Sequence, residues 1–455
     1  MRTRRVYKKT LVALAQVCLL STVLATTPAL AQDATPLVVN LAKDTPERTP
    51  GVKPDSKSLE GGIWGEATKA EHEAKSSGER NVDPQLEAYV GGVESKLAGP
   101  FAGDIRLYVM DRPFFNASVS PNGYAEVWSG LLLRAETEDQ LAFVLGHETG
   151  HFRHSHSLKR YQEMKNGSNA ALAVSLVIAV AGAAAQANAG SYQAMQNINN
   201  VTSGLINVTY LGTIAVLMSY SRETEAQADA YGMTYATQDG YFPGAGAQLW
   251  QALINETKAS DYDKVRRSGS RNNIFGTHPL ENDRIDALNT QDRQAHGGKL
   301  STRSDADEKA ARLAYREHIR PFLGSWLKDD LRRKDYGQTI YVINRLAQDG
   351  EDRGVLAFYK GEAYRMRGKA DDLTAALDCY LTALKAFDAP VETQRQLGDL
   401  YRRMGNSAAA VTAFNAYLAA APNAEDAWMV QDQVDTITKT LPAAAPAPAA
   451  LSQGE

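Results

Sequence analysis

Cysteine is nearly absent from this chain: Cys18 and Cys379 are the two in 455 residues. Removal of the N-terminal leader described below takes Cys18 away and leaves Cys379 without a partner, so no internal disulfide is expected. A basic excess is missing as well. The formal net charge is −4, and a nucleic-acid partner is not expected, because gripping phosphates needs a positive surface. Long apolar runs are also lacking. Two internal stretches, Ala170 to Ala185 and Gly204 to Met218, stop short of the ~18 uninterrupted residues of a membrane span, and Asn207 and Thr209 break the second. They are expected to be buried or surface-lying helices, with peripheral membrane contact through 170–185 and 204–218 as the lesser alternative.

What remains is an ordinary globular composition, 44% hydrophobic and 22% charged, in a chain long enough for two or three domains. Its first 31 residues run from Arg2, Arg4, Arg5, Lys8 and Lys9 through an apolar stretch to Ala29-Leu30-Ala31. That order is a cleavable signal peptide rather than an anchor, since the apolar run is interrupted and shorter than ~20 residues. The five basic leader residues have no acidic counterpart, so cutting them away takes the charge from −4 to −9.

Residues 32–58 are rich in Pro, Thr, Asp and Lys and read as a flexible linker. Compact sequence over 59–297 follows. It is expected to hold helices at about Gly65–Glu79 and Pro84–Leu97, strands at Asp104–Asp111 and from Gly123, and a helix from about Thr137 to His156. Over 298–440 the pattern becomes helix pairs that repeat. Gly361-Glu-Ala-Tyr364 returns as Gly398-Asp-Leu-Tyr401, and Ala375 to Leu384 returns as Ala409 to Leu418. A period near 34 with small residues, Gly and Tyr in these places resembles the tetratricopeptide (TPR) repeat. Lys360 departs from it, standing where Leu397 stands in the second copy. Residues 441–455 form a Pro/Ala tail with nothing to build a core. The fold class expected is mostly α with a small β-sheet.

Four of the eight histidines fall between Gly146 and His156, and His147-Glu148-Thr149-Gly150-His151 is an H-E-x-x-H motif. Residues four apart on a helix share a face, so His147 and His151 can reach one ion. Paired neutral imidazoles suit zinc, with room left for a third protein ligand and a water. Glu148, turned off the shared face, is placed to take that water's proton. The third ligand is sought in Ser221 to Gly232. Glu225 and Asp229 share a helix face there, Glu225 as ligand and Asp229 as acceptor of a ligand imidazole's free N–H. His154 and His156 are read as a structural or surface continuation of the helix.

Here the chain resembles a family, the zinc metalloendopeptidases that include the CAAX prenyl proteases and the bacterial HtpX and BepA proteases. The resemblance rests on four ordered motifs: His147 to His151, Ser221-Arg222-x-x-Glu225-x-x-Ala228-Asp229, Asn116 to Gly123 leading into a strand, and Thr277-His278-Pro279 followed by Asp283-Arg284. It implies a zincin-like peptidase domain over 59–297 ahead of the TPR-like 298–440, one Zn2+ held by His147, His151 and Glu225, and Glu148 as catalytic base. It also implies that His278 approaches the metal, as a reversible ligand or as a donor to the oxyanion. Gly123, Tyr124, Ala125 and Glu126 are expected to offer a strand edge to an extended peptide substrate.

The function expected is that of an exported zinc metalloendopeptidase, periplasmic or as second choice secreted, in envelope protein quality control or outer-membrane protein assembly. Its partners would be unfolded or misassembled proteins and an assembly complex engaged through the repeats. The alternative is a chaperone or assembly scaffold with structural zinc and little proteolysis. Glu148 separates the two, because a structural zinc site has no use for a base.

Overall fold

The computed structural model describes residues 47–166, 220–268 and 282–440. The leader, residues 32–46, both internal apolar stretches, His278 and the tail from residue 441 lie outside the described residues. Among the described residues no helix is long and apolar enough to cross a membrane. The architecture is mostly α with one three-stranded sheet.

Helix α1 (Leu59–Ser76) begins six residues ahead of its expected start, because Ser58 caps it by accepting a hydrogen bond from the Gly61 amide. Such a cap contributes about 1 kcal/mol, which carries the helix across Gly61 and Gly62 despite their weak propensity. After α2 (Pro84–Ala98) come β1 (Arg106–Met110), β2 (Ala117–Val119) and β3 (Tyr124–Trp128). Their side chains alternate between two faces, as strand geometry requires. Tyr108, Met110 and Tyr124 pack against Ala70 and Ala74 of α1. Val109 and Val127 join the main core with Leu86, Val90 and Val93 of α2.

The strand order is β1-β3-β2, with β3 parallel to β1 and antiparallel to β2. The expected peptide-binding edge at Gly123 to Glu126 is therefore corrected. Both sides of β3 are already paired, with Ala125 opposite Leu107 and Val119, and Glu126 opposite Tyr108 and Ser118. The side chains are engaged too. Glu126 accepts hydrogen bonds from Arg112 and Trp128 and pairs with Tyr124. Gly123 sits at φ 82, where a Cβ would come within 1.9 Å of the Asp104 carbonyl oxygen, so its role is to turn the chain tightly into β3.

Helices α3 (Ser129–Arg134) and α4 (Glu138–Arg153) follow. Thr137 caps α4 by accepting from the Gln140 amide, and Glu138 and Asp139 favour its positive N-terminal end. The helix does not run on to His156. Ser155 adopts φ 52, which ends the helix, and a new one, α5 (His156–Asn166), starts after it. The last part of the supposed linker is also docked. Arg48 donates from Nε to Ser155 Oγ at 2.8 Å and from Nη1 to the Pro121 carbonyl at 2.6 Å, and the Gly51 amide donates to Asp104.

Helices α6 (Arg222–Gln238), α7 (Ala245–Lys258), α8 (Asp263–Ser268) and α9 (Asn282–Ala295) complete the first part of the chain. Those that follow, α10 (Asp305–Ile319), α11 (Leu323–Arg332) and α12 (Tyr336–Leu346), do not open a separate unit at residue 298. Tyr315, Ile319, Trp326, Leu327 and Ile343 share one apolar cluster with Leu141, Phe143 and Trp250. A buried ionic joint reinforces it: Arg134 of α3 donates to Glu256 of α7 and Asp330 of α11. Removing one member of such a group leaves a buried charge uncompensated and costs about 3–5 kcal/mol.

Beyond them stand the pairs α13 (Arg353–Arg367) with α14 (Asp372–Ala383) and α15 (Glu392–Arg403) with α16 (Ser407–Ala420), then α17 (Ala427–Thr440). The two pairs pack alike. Gly361 lies under the Tyr380 ring and Gly398 under the Phe414 ring, each so close that a Cβ would meet ring carbons at 2.6 and 2.5 Å.

Candidate metal centre

Two helices build the site, and two glycines let them touch. A Cβ on Gly146 of α4 would lie 3.0 Å from the Gly232 carbonyl oxygen, and one on Gly232 of α6 would lie 2.8 Å from the His147 amide nitrogen and the Phe143 carbonyl oxygen. Without side chains at these points the backbones come together, and α6 runs alongside the histidine turn of α4. Ser221 fixes where α6 starts, its hydroxyl accepting from the Thr224 amide. Glu225 and Asp229 then face His147 and His151, one turn apart.

The Nε2 atoms of His147 and His151 are 3.1 Å apart. Glu225 Oε2 lies 3.6 Å from the first and Oε1 3.8 Å from the second. All three residues are buried, and one ligand atom from each lies within 4.8 Å of the others. Tetrahedral coordination at ~2.0–2.1 Å would set neighbouring donors about 3.3 Å apart. Two imidazole nitrogens and a carboxylate at these spacings fit such an ion without rearrangement.

Each imidazole is held from behind. His147 Nδ1 lies 3.0 Å from Asp229 Oδ1, so the ring proton sits on Nδ1 and the Nε2 lone pair is left for a metal. Asp229 is itself clamped by Arg284 of α9, which donates from Nε to Oδ2 at 2.6 Å and from Nη2 to Oδ1 at 2.7 Å. Trp250 Nε1 adds a longer contact to Oδ2 at 3.4 Å. Burial alone would raise the Asp229 pKa, but Arg284 first and His147 next bring it down to about 2. Arg284 also reaches Glu225, its Nη1 lying 3.2 Å from Oε2. Burial works against the guanidinium charge, yet Asp229, Glu225 and Glu148 together hold its pKa above the ordinary value.

His156 does for His151 what Asp229 does for His147. Its Nδ1 lies 3.0 Å from His151 Nδ1, and it is 1% exposed, so of the structural and surface readings the structural one applies. With the proton on His151 Nδ1, His156 accepts it and the His151 Nε2 lone pair faces inward. Tyr220 stacks on the other side of His151 at 3.9 Å, and its hydroxyl pairs with Ser157 at 2.8 Å. Burial pushes the Tyr220 phenol up. His154 takes a different part, stacking on Tyr231 at 3.9 Å and reaching the Tyr235 hydroxyl at 3.4 Å.

Glu148 is buried beside the cluster at 4% exposure. Its charge is felt by Tyr220 and Arg284 on the metal side and by Glu94 of α2 on the other. Glu94 accepts from Thr149 Oγ1 at 2.8 Å. Burial first, then the Glu148 charge, raises the Glu94 pKa to about 8.

Of the residues singled out in the sequence, the fold brings His147, Glu148, His151, Glu225 and Asp229 together. Tyr124, Ala125 and Glu126 stand on the central strand of the sheet, Gly123 turns the chain into it, and His278 lies outside the described residues. His156, Tyr220 and Arg284 were given no role in the site. Their signals were faint: a histidine five residues past a ligand, a tyrosine just before Ser221, and Asp283-Arg284 after the Thr-His-Pro triplet.

Comparison with known proteins adds an independent line. The chain is 29% identical over 242 residues to a Vibrio cholerae serotype O1 protein named, provisionally, a beta-barrel assembly-enhancing protease, covering 51% of this chain and 45% of that one. It is 23% identical over 273 residues to the beta-barrel assembly-enhancing protease of Escherichia coli K12, covering 57% of this chain and 52% of the relative. It is 28% identical over 183 residues to the E. coli metalloprotease LoiP, covering 40% and 60%. The match thus spans about half the length of the first two relatives. Residues 80–292, the stretch that carries every residue of the metal centre, match peptidase family M48.

Proposed function

We propose that this protein is a zinc-dependent metalloendopeptidase. The observation that carries the reading is the convergence of His147 Nε2, His151 Nε2 and the Glu225 carboxylate on one buried point with Glu148 beside it. Zinc held by those three residues would supply a Lewis acid that acidifies water and polarises a peptide carbonyl. The rest falls to the chain. Glu148 accepts the proton of the attacking water and passes it to the amine that leaves. Asp229 and Arg284 keep His147 in one tautomer, and His156 does so for His151. His278, as reversible ligand or oxyanion donor, belongs to the same reading.

With β3 paired on both sides, the strand offered to a substrate is β2. Its register bonds Ser118 to Glu126 of β3 and turns the amides and carbonyls of Ala117 and Val119 the other way. An extended peptide laid there would be held by backbone hydrogen bonds that tolerate many side chains.

The substrates proposed are unfolded or misassembled proteins of the cell envelope, met in the periplasm after export, with secretion as second choice. The leader supports export, and the beta-barrel assembly-enhancing relatives support the setting. The helix pairs from residue 353 on, read as TPR-like, would recruit clients or an assembly complex. The experiment compares wild type with Glu148→Gln for casein cleavage and self-cleavage, each with its zinc content measured. Zinc in both and cleavage by wild type alone is the expected result. Zinc in both and cleavage by neither would favour the scaffold.

A further inference from the structure

Lys360 breaks the repeat, and the structure shows what the break makes. Leu397, its counterpart before the second Gly-x-x-Tyr, is 4% exposed and packs in an apolar cluster. Lys360 instead lines a cavity of about 280 Å³ between α12, α13 and α14. The floor is apolar, formed by Ile343, Leu356 and neighbouring alanines. Arg353 joins Lys360 on the wall, with its Nε bonded at 2.8 Å to the Gly350 carbonyl. Among the described residues no ion pair or hydrogen bond of Lys360 is found. Asp378 and Cys379 face them from α14. In a chain of net charge −4 this apolar hollow has two cations and one anion.

The volume is close to the lower end of the roughly 300–1,000 Å³ of small-molecule clefts, which suits one or two side chains. The two cations call for a carboxylate, and Asp378 disfavours a bare polyanion while accepting from a peptide N–H.

We propose that this cavity is a docking site for a segment of another protein that carries a Leu- or Phe-sized side chain next to Asp or Glu. It is a recognition point distinct from the metal centre and does not rest on the peptidase reading. The opposing account is a lysine whose stem covers apolar surface while its head stays in water.

Cys379, a free thiol on the cavity wall, serves as reporter. The probe is acetyl-Ser-Gly-Leu-Glu-Leu-Gly-Ser-amide, with twins carrying Gln or Lys for Glu. Affinity is measured on the full chain bearing Glu148→Gln, so that the probe is not cut. Alkylation of Cys379 by N-ethylmaleimide is followed by peptide mass spectrometry. The Glu probe should bind and slow alkylation at least about fivefold, and the Gln and Lys twins should bind about tenfold more weakly. Lys360→Glu should lose about tenfold in affinity, and Lys360→Arg should stay within about threefold of the parent. Equal binding of the Glu and Gln probes, undiminished affinity in Lys360→Glu, or unprotected Cys379 at saturating probe would each overturn the proposal. Should Lys360→Glu melt early, the comparison of probes on the parent protein decides alone.

Discussion

Arg284 grips Asp229 through two hydrogen bonds of 2.6 and 2.7 Å, fifty-five residues away in sequence, and from the same guanidinium reaches Glu225 at 3.2 Å. One cation therefore offsets a proposed metal ligand and the residue that orients another. Arg284→Ala would leave two buried carboxylates facing each other, a loss of about 3–5 kcal/mol in the metal-free protein. Bound zinc would repay part of it. Thermal melts with and without zinc should show a larger stabilisation by zinc in Arg284→Ala than in wild type. Equal increments would mean that Arg284 acts only in packing.

His156 gives a second prediction. His156→Phe keeps an aromatic ring in the buried space but removes the acceptor for His151 Nδ1. Loss of such a partner typically costs 10–100-fold in metal affinity. Competition with a zinc chelator should place the variant about tenfold or more below wild type, with His156→Gln between the two. Unchanged affinity would reduce His156 to a space-filling residue.

The helix contact is testable by adding single methyl groups. Gly232→Ala and Gly146→Ala should separate α4 from α6 and destabilise the protein by about 1–3 kcal/mol, with a matching fall in zinc affinity. Gly92, on α2, has nothing within 4 Å of where its Cβ would stand. There the same change should stabilise by up to about 1 kcal/mol. Denaturant titration of the three variants checks both signs.

Glu94 predicts a pH dependence. Its pKa rises to about 8 in the fold through burial and then the Glu148 charge, against about 4.3 when unfolded. Between those values the folded state holds a proton that the unfolded state has released, so stability falls as pH rises from about 4.3 to about 8. Glu94→Gln removes that slope. The variant should match wild type near pH 4 and exceed it at pH 8 by an amount on the order of several kcal/mol at most. Parallel stability curves across that range would contradict the assignment.

The parts of the site that are local in sequence were legible there. His147 and His151, like Glu225 and Asp229, are four apart, and helix periodicity alone puts each pair on one face. His156 was hidden because a single backbone turn, Ser155 at φ 52, redirects the chain and swings the ring back onto His151. Arg284 was hidden because its contact depends on how α9 packs, which no local period encodes. Strand order was hidden for the same reason: alternation identifies Tyr124 to Trp128 as a strand and is silent on which strands flank it. The boundary near residue 298 misled because the repeat pattern changes there while the apolar core does not stop.

The central claim is that Glu148 is a base beside a metal held by His147, His151 and Glu225. It is tested most directly by casein cleavage and zinc content measured together on purified wild type and Glu148→Gln. Equal zinc, with cleavage lost by at least about a hundredfold in the variant, is the predicted result. Equal zinc with undiminished cleavage in Glu148→Gln would contradict it.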